Sequence, residues 1–164
     1  MLYPRVFKLN NKDVLVNENQ LVSYREHLNF HKRMLFLSGP ITGEVESHNT
    51  LMALDTISHD PIILIITSPG GDLDSTFLFY DTMKLIKSPI ITVGRYCASA
   101  AAIILSAGTK RYLFPHAKVM LHLPSGQMGG DSKDWEIQHK EMQKYKDKII
   151  DILCENGAKK SREE

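Results

Sequence analysis

The run Ile62-Ile63-Leu64-Ile65-Ile66, closed by Ser68-Pro69-Gly70-Gly71, decides the fold. Five consecutive branched aliphatic residues suit a strand covered on both faces, as in a parallel sheet. Pro-Gly-Gly then ends the strand in a tight turn. From about Asp72 to Ile86 the chain carries Leu73, Phe77, Phe79, Tyr80, Met83 and Leu85, which predicts a helix. Strand, glycine turn and helix form the opening half of a βαβ unit.

The same alternation extends in both directions. Upstream, Met34-Leu35-Phe36-Leu37 stops at Ser38-Gly39-Pro40, and residues 44–59 have near-helical apolar spacing. Downstream, Ile90-Ile91-Thr92-Val93 predicts a strand and residues 99–107 a short helix. Tyr112-Leu113-Phe114 and Val119-Met120-Leu121 are two further strand candidates. The repetition predicts an α/β domain built from right-handed crossovers.

After Pro124 comes the glycine-rich stretch Ser125-Gly126-Gln127-Met128-Gly129-Gly130, followed by Asp131 and Ser132 as candidate N-caps of a long helix through Cys154. At 1.5 Å per residue that helix is roughly 35 Å long, more than so small a domain can cover. Its apolar residues, among them Trp135, Ile137, Tyr145 and Ile149, do not form one narrow stripe. Near the N-terminus, Val6, Leu9, Val14 and Val16 flank the polar turn Asn10-Asn11-Lys12-Asp13, which predicts a hairpin. The expected organisation is an appendage over 1–32, an α/β head over 33–131, and the long helix with a truncated C-terminal part over 132–164.

Composition narrows the function. The chain has 164 residues, 43% hydrophobic and 24% charged, with a formal net charge of +1. One soluble domain fits; a disulfide-stapled miniprotein and a disordered tail do not. No bulk electrostatic field favours nucleic acid or an anionic membrane. Cys97 and Cys154 stand alone, without the paired spacing of a zinc site or redox dithiol, and are expected to be free thiols. The most apolar stretch, 89–107, is broken by Arg95, and residues 1–5 begin no apolar run of signal-peptide length, so the expected location is cytoplasmic.

The residues with chemical potential sit at strand-to-helix junctions, where helix N-termini present unpaired N–H groups. The Gly71 N–H could point into a cleft as an oxyanion donor, although Pro-Gly-Gly is also an ordinary turn. Ser99, in Cys97-Ala98-Ser99-Ala100-Ala101, could be a nucleophile backed by the Ala100 N–H, although most serines there are N-caps. No glycine lies two residues either side of Ser99, so this is not the Gly-x-Ser-x-Gly turn of α/β-hydrolases. His122 follows an apolar strand and could act as the general base, or be structural. His27, His31, His48, His59 and His139 lie in polar or helical settings, and His116 lies in a turn.

In combination these motifs are more specific. Ser-Pro-Gly-Gly at 68–71, Ala-Ser-Ala at 98–100 after Gly94, and Met-Leu-His-Leu-Pro at 120–124 resemble the Clp protease proteolytic subunit. Tyr80-Asp81-Thr82-Met83, Ser106-Ala107-Gly108 and Trp135-Glu136-Ile137-Gln138 add to the likeness, which covers about residues 33–158. The resemblance implies a repeated β-β-α superhelix of the crotonase-like superfamily with a projecting handle helix. It implies a serine endopeptidase in which Ser99 is the nucleophile, His122 the general base, and the Gly71 and Ala100 N–H groups the oxyanion hole. Gly126, Gln127 and Met128 would bind extended substrate, and Ile63, Ile65 and Leu85 would line a partner-docking pocket. The implied assembly is a homo-oligomer of two stacked heptameric rings, a tetradecamer. It would act on unfolded polypeptide with an AAA+ unfoldase of the ClpX, ClpC or ClpA type. No cofactor or metal is implied, since the unfoldase uses the ATP, and neither nucleic acid nor membrane is expected as a partner. The triad aspartate is expected beyond residue 164, because Asp131, Asp134, Asp147 and Asp151 do not match it. Two other readings stand beside this one: a non-catalytic ring subunit, and a crotonase-type acyl-CoA enzyme. A Ser-Lys peptidase is disfavoured by His122.

Overall fold

The computed structural model describes residues 5–9, 12–16, 29–43, 46–126 and 129–157. The chain divides into two compact units, Met1–Met34 and Leu35–Glu164. In the first, β1 (Arg5–Leu9) pairs antiparallel with β2 (Lys12–Val16), with Arg5 opposite Val16 and Leu9 opposite Lys12. The pairing is that of a hairpin, but Lys12 and Asp13, expected in its turn, are the first two residues of β2.

The remaining elements are β3 (Met34–Ser38), α1 (Glu46–Ile57), β4 (Ile62–Ser68), α2 (Leu73–Leu85), β5 (Ile90–Ala98), α3 (Ala100–Ser106), β6 (Lys110–Met120) and α4 (Ser132–Glu155). One parallel sheet holds β3, β4, β5 and β6 in that order. Sequential strands are neighbours, so each connecting helix is a crossover. Ile62, Leu64 and Ile66 of β4 pack with Leu51, Leu54, Phe79, Ile103 and Ile104 in a core closed to water.

Two expectations need correction. The aliphatic run of β4 is not buried on both faces: Ile62, Leu64, Ile66 and Ser68 are buried, whereas Ile63, Ile65 and Thr67 are only half-buried. A continuous apolar run does not by itself say how many faces are covered. The two strand candidates after residue 110 form one strand, β6. Its pairing runs from Gly94 opposite Leu113 to Tyr96 opposite Lys118, so residues 114–117 bulge against Arg95 alone. Pro115 lacks an N–H and falls where the ladder is interrupted anyway. The Arg95 guanidinium lies 5.5 Å from the centre of the Phe114 ring.

Beyond the bulge the strands resume pairing, and Ala98 stands opposite Met120. Ser99 after β5 and His122 after β6 therefore leave the sheet side by side.

Helix α4 has 24 residues and starts with a reciprocal cap. Asp131 Oδ1 accepts from the Lys133 and Asp134 N–H groups, and the Asp131 N–H donates to Asp134 Oδ2. Of the two cap candidates, Asp131 takes the role. At the far end Asn156 gathers several bonds: Arg111 donates to its carbonyl at 2.9 Å, Lys84 to its side-chain oxygen at 2.8 Å, and its own amide donates to Tyr80 Oη at 3.3 Å.

Candidate active site

Ser99 sits between β5 and α3 at φ 56° and ψ −125°. Positive φ is costly for a residue with a Cβ, about 1–3 kcal/mol, and persists only where the surroundings enforce it. They do so here through backbone bonds: the Ser99 N–H donates to the Met120 carbonyl at 2.8 Å, and the Ala102 N–H donates to the Ser99 carbonyl at 2.9 Å. The Ser99 hydroxyl makes no capping bond to α3. The N-cap alternative is thereby set aside, and the hydroxyl remains available.

The glycine turn is built against this serine. Gly70 has φ +90°, and a Cβ there would lie 2.6 Å from the Ala98 carbonyl oxygen, 2.8 Å from Ser99 Cβ and 2.9 Å from the Ala100 nitrogen. Only glycine lets the two turns approach so closely. On its other side the turn is clamped by Ile41, whose N–H donates to the Gly70 carbonyl and whose carbonyl accepts from the Asp72 N–H, both at 2.9 Å. A Cβ on Gly71 would run into that Ile41 carbonyl. The neighbours' groups are committed to the clamp, while the Gly71 N–H has no acceptor among the described residues. The Ala100 N–H, at the first position of α3, has no intrahelical acceptor either.

Ser99, Ala100, Gly71 and His122 line one cleft of about 200 Å³, with Leu73, Ile103, Leu121 and Ile149 among its apolar walls. His122 Nδ1 lies 2.6 Å from the Leu123 carbonyl oxygen. A carbonyl only accepts, so Nδ1 carries the proton, and in the neutral ring Nε2 keeps its lone pair. That is the tautomer a general base requires. Among the described residues no hydrogen bond joins His122 to Ser99, and no carboxylate lines the cleft. Cys97, two residues before Ser99, is fully buried, and burial pushes its thiol up to about 11, so it stays protonated at neutral pH and is no rival nucleophile.

The described residues thus bring together Ser99, His122, Gly71 and Ala100. Ser125 also lines the cleft and Gly126 is exposed nearby in sequence, whereas Gln127 and Met128 lie outside the described residues. Ile63 and Ile65 share the half-buried face of β4, and Leu85 is exposed at the end of α2, none of them in the cleft. Gly70 and Ile41 are the positions the sequence reading did not single out. The double glycine signals the first of them, but nothing local marks Ile41.

The family model described as Clp protease matches residues 16–163. The chain belongs to the Clp protease family. It is similar to ATP-dependent Clp protease proteolytic subunit 1 of Chlamydia muridarum (strain MoPn / Nigg), 37% identical over 131 residues, covering 75% of this chain and 68% of that protein. The ATP-dependent Clp protease proteolytic subunit of Carsonella ruddii (strain PV) is 38% identical over 128 residues, covering 74% of this chain and 66% of that protein. The aligned part therefore spans about two thirds of either relative. The parallel four-stranded sheet with its long C-terminal helix fits the Clp protease fold. Among the described residues no group of three or more His, Cys, Asp or Glu is placed to hold a metal ion, and no helix is long and apolar enough to cross a membrane.

Proposed function

We propose that this Clp protease family member is the proteolytic subunit of an ATP-dependent protease and hydrolyses peptide bonds as a serine endopeptidase. The observation that carries this reading is the contact of the Gly70-Gly71 turn with Ser99-Ala100, in a cleft that also holds His122. Two N–H groups without acceptors among the described residues, beside a strained, uncapped serine, are the parts an acyl-transfer site needs.

The geometry supports a two-stage acyl transfer. Ser99 Oγ attacks the peptide carbonyl while His122 Nε2 takes its proton. The oxyanion forms against the Gly71 and Ala100 N–H groups. The imidazolium returns the proton to the leaving amine, and water repeats the sequence on the acyl-enzyme. The Leu123 carbonyl sets the tautomer of His122, but it stabilises the imidazolium less than a carboxylate does. Substrate lies extended beside Ser125 at the mouth of the cleft and is read through backbone bonds, which gives broad sequence tolerance.

The working form is a cytoplasmic tetradecamer of two heptameric rings fed with unfolded polypeptide by an AAA+ unfoldase. Exposed Tyr112, Leu113, Val119 and Met120 on β6, with Trp135 and Ile137 on α4, support an assembled state, since one monomer leaves them in water. A non-catalytic ring subunit would have no use for the strain at Ser99. The acyl-CoA reading lacks an acidic base among the described residues of the cleft. Peptidase activity before and after Ser99→Ala separates the readings: loss of at least about 10³-fold is expected for a nucleophile, and no change supports the non-catalytic subunit.

A further inference from the structure

Two of the apolar residues that wall the cleft come from different helices: Leu73 is the first residue of α2, and the buried Ile149 belongs to α4. The helices are joined beside these two residues. Tyr145, four positions before Ile149 and so on the same face of α4, donates from Oη to both carboxylate oxygens of Asp74, the residue after Leu73, within 3.0 Å. The Tyr145 ring stacks on Phe77, further along α2, with centroids 5.9 Å apart, and Lys148 Nζ lies 5.2 Å from the centre of the same Phe77 ring. Toward their ends the two helices are joined again: Tyr80 Oη donates to Glu155 Oε2 at 3.4 Å, and Lys84 Nζ donates to Asn156 Oδ1 at 2.8 Å.

We propose that Tyr145 is a positioning residue for specificity: by holding Asp74 it fixes the gap between Leu73 and Ile149, and with it the size of the apolar side chain that the cleft admits beside the scissile bond. The bond and the gap lie side by side, since Asp74 adjoins Leu73 in the chain and Tyr145 stands one turn from Ile149. A tie at that place resists the separation of α2 from α4 that a bulky side chain would force. Stacked rings set no sharp distance, whereas a hydroxyl bonded to a carboxylate has a narrow range of lengths and directions. The second join, at Asn156, keeps α4 on the head when the first is removed. Neither Tyr145 nor Asp74 lines the cleft, so their effect belongs in the choice between substrates and not in the chemical step.

This proposal rests on the serine-peptidase reading, and its test separates the two. The assembled full chain is assayed with two extended peptides that differ only in the residue on the acyl side of the scissile bond, Leu in one and Trp in the other. In parallel it is labelled with a small fluorophosphonate that places no side chain between the helices. The parent favours the Leu peptide. Tyr145→Phe keeps the ring and loses the bond; it raises kcat/KM for the Trp peptide relative to the Leu peptide about fivefold, with the labelling rate within about twofold of the parent. The shift is no larger because a bond that faces solvent enforces no more selectivity than it is itself worth. Asp74→Asn keeps a carbonyl acceptor for the phenol and shifts the ratio less, by about twofold. Asp74→Ala shifts it as far as Tyr145→Phe, and combining the two adds nothing further. A parent that cleaves both peptides equally, or an unchanged ratio in Tyr145→Phe, overturns the proposal. So does a parallel fall in both peptides and in labelling, the pattern of a distorted site, and so do additive shifts in the double variant. An unlabelled parent chain counts against the peptidase reading and takes this proposal with it.

Discussion

Tyr145 Oη donates to both carboxylate oxygens of Asp74, at 2.9 and 3.0 Å. The bond ties the middle of α4 to the first turn of α2, two residues after Asp72, which caps that helix through the Ser75 N–H at 2.7 Å. The glycine turn precedes this cap directly, so the long helix and the candidate oxyanion hole share one short mechanical link. The accepting carboxylate favours the protonated phenol and raises the Tyr145 pKa.

Tyr145→Phe keeps the stacking on Phe77 and removes the bond. We expect a loss of about 1 kcal/mol in urea unfolding, less than is usual for a bond to a carboxylate because the pair faces solvent. Because the folded pKa is raised, the bond's contribution is fully present below the ordinary tyrosine value of about 10 and is lost as pH rises through the folded value. The stability gap between parent and variant should therefore shrink above pH 10. A gap that holds or widens there would contradict the assignment.

Acid should release a different joint. Asp55 at the end of α1 is lowered to about 2, foremost by the Ser88 hydroxyl at 2.7 Å, and further by the Ser88 N–H at 2.8 Å and His59 Nδ1 at 3.1 Å. A depressed carboxyl contributes stability that is present above its unfolded value of about 3.9 and is lost as pH falls through the folded one. Thermal melts of the parent and Asp55→Asn should differ at pH 6 and converge near pH 2. Parallel melting curves across that range would refute the role given to Ser88.

Gly70→Ala places a methyl group between the two turns that form the site, at a residue whose φ is +90°. We expect about 2 kcal/mol or more of destabilisation and at least a hundredfold loss of peptidase activity and of Ser99 labelling. Gly43→Ala, where a Cβ meets nothing within 4 Å, is the control and should change neither. Full activity in Gly70→Ala would mean that the close approach to Ser99 is dispensable.

Much of the head was legible because its information is local. The apolar runs at 62–66 and 90–93 mark strands, and the glycine and small-residue junctions after them mark where Ser99 and Gly71 emerge. β6 was not legible as one strand, since Pro115 reads as a terminator when its only opposite residue, Arg95, is far away in sequence. The clamp of Ile41 on Gly70 and Asp72 uses backbone atoms alone and leaves no side-chain pattern. Gln138 sits in a polar helix face where a glutamine needs no explanation, until its amide is seen to match both backbone groups of Gly129. His59 reads as a solvated residue, yet it leans on Asp55 four positions earlier.

Mapping the adduct of a fluorophosphonate on the assembled full-length protein tests the central assignment most directly. Peptide mass spectrometry should find one modified residue, Ser99, with labelling abolished in Ser99→Ala and strongly slowed in His122→Ala. An adduct at another residue, or no adduct while the ring is intact, would contradict the serine-peptidase site.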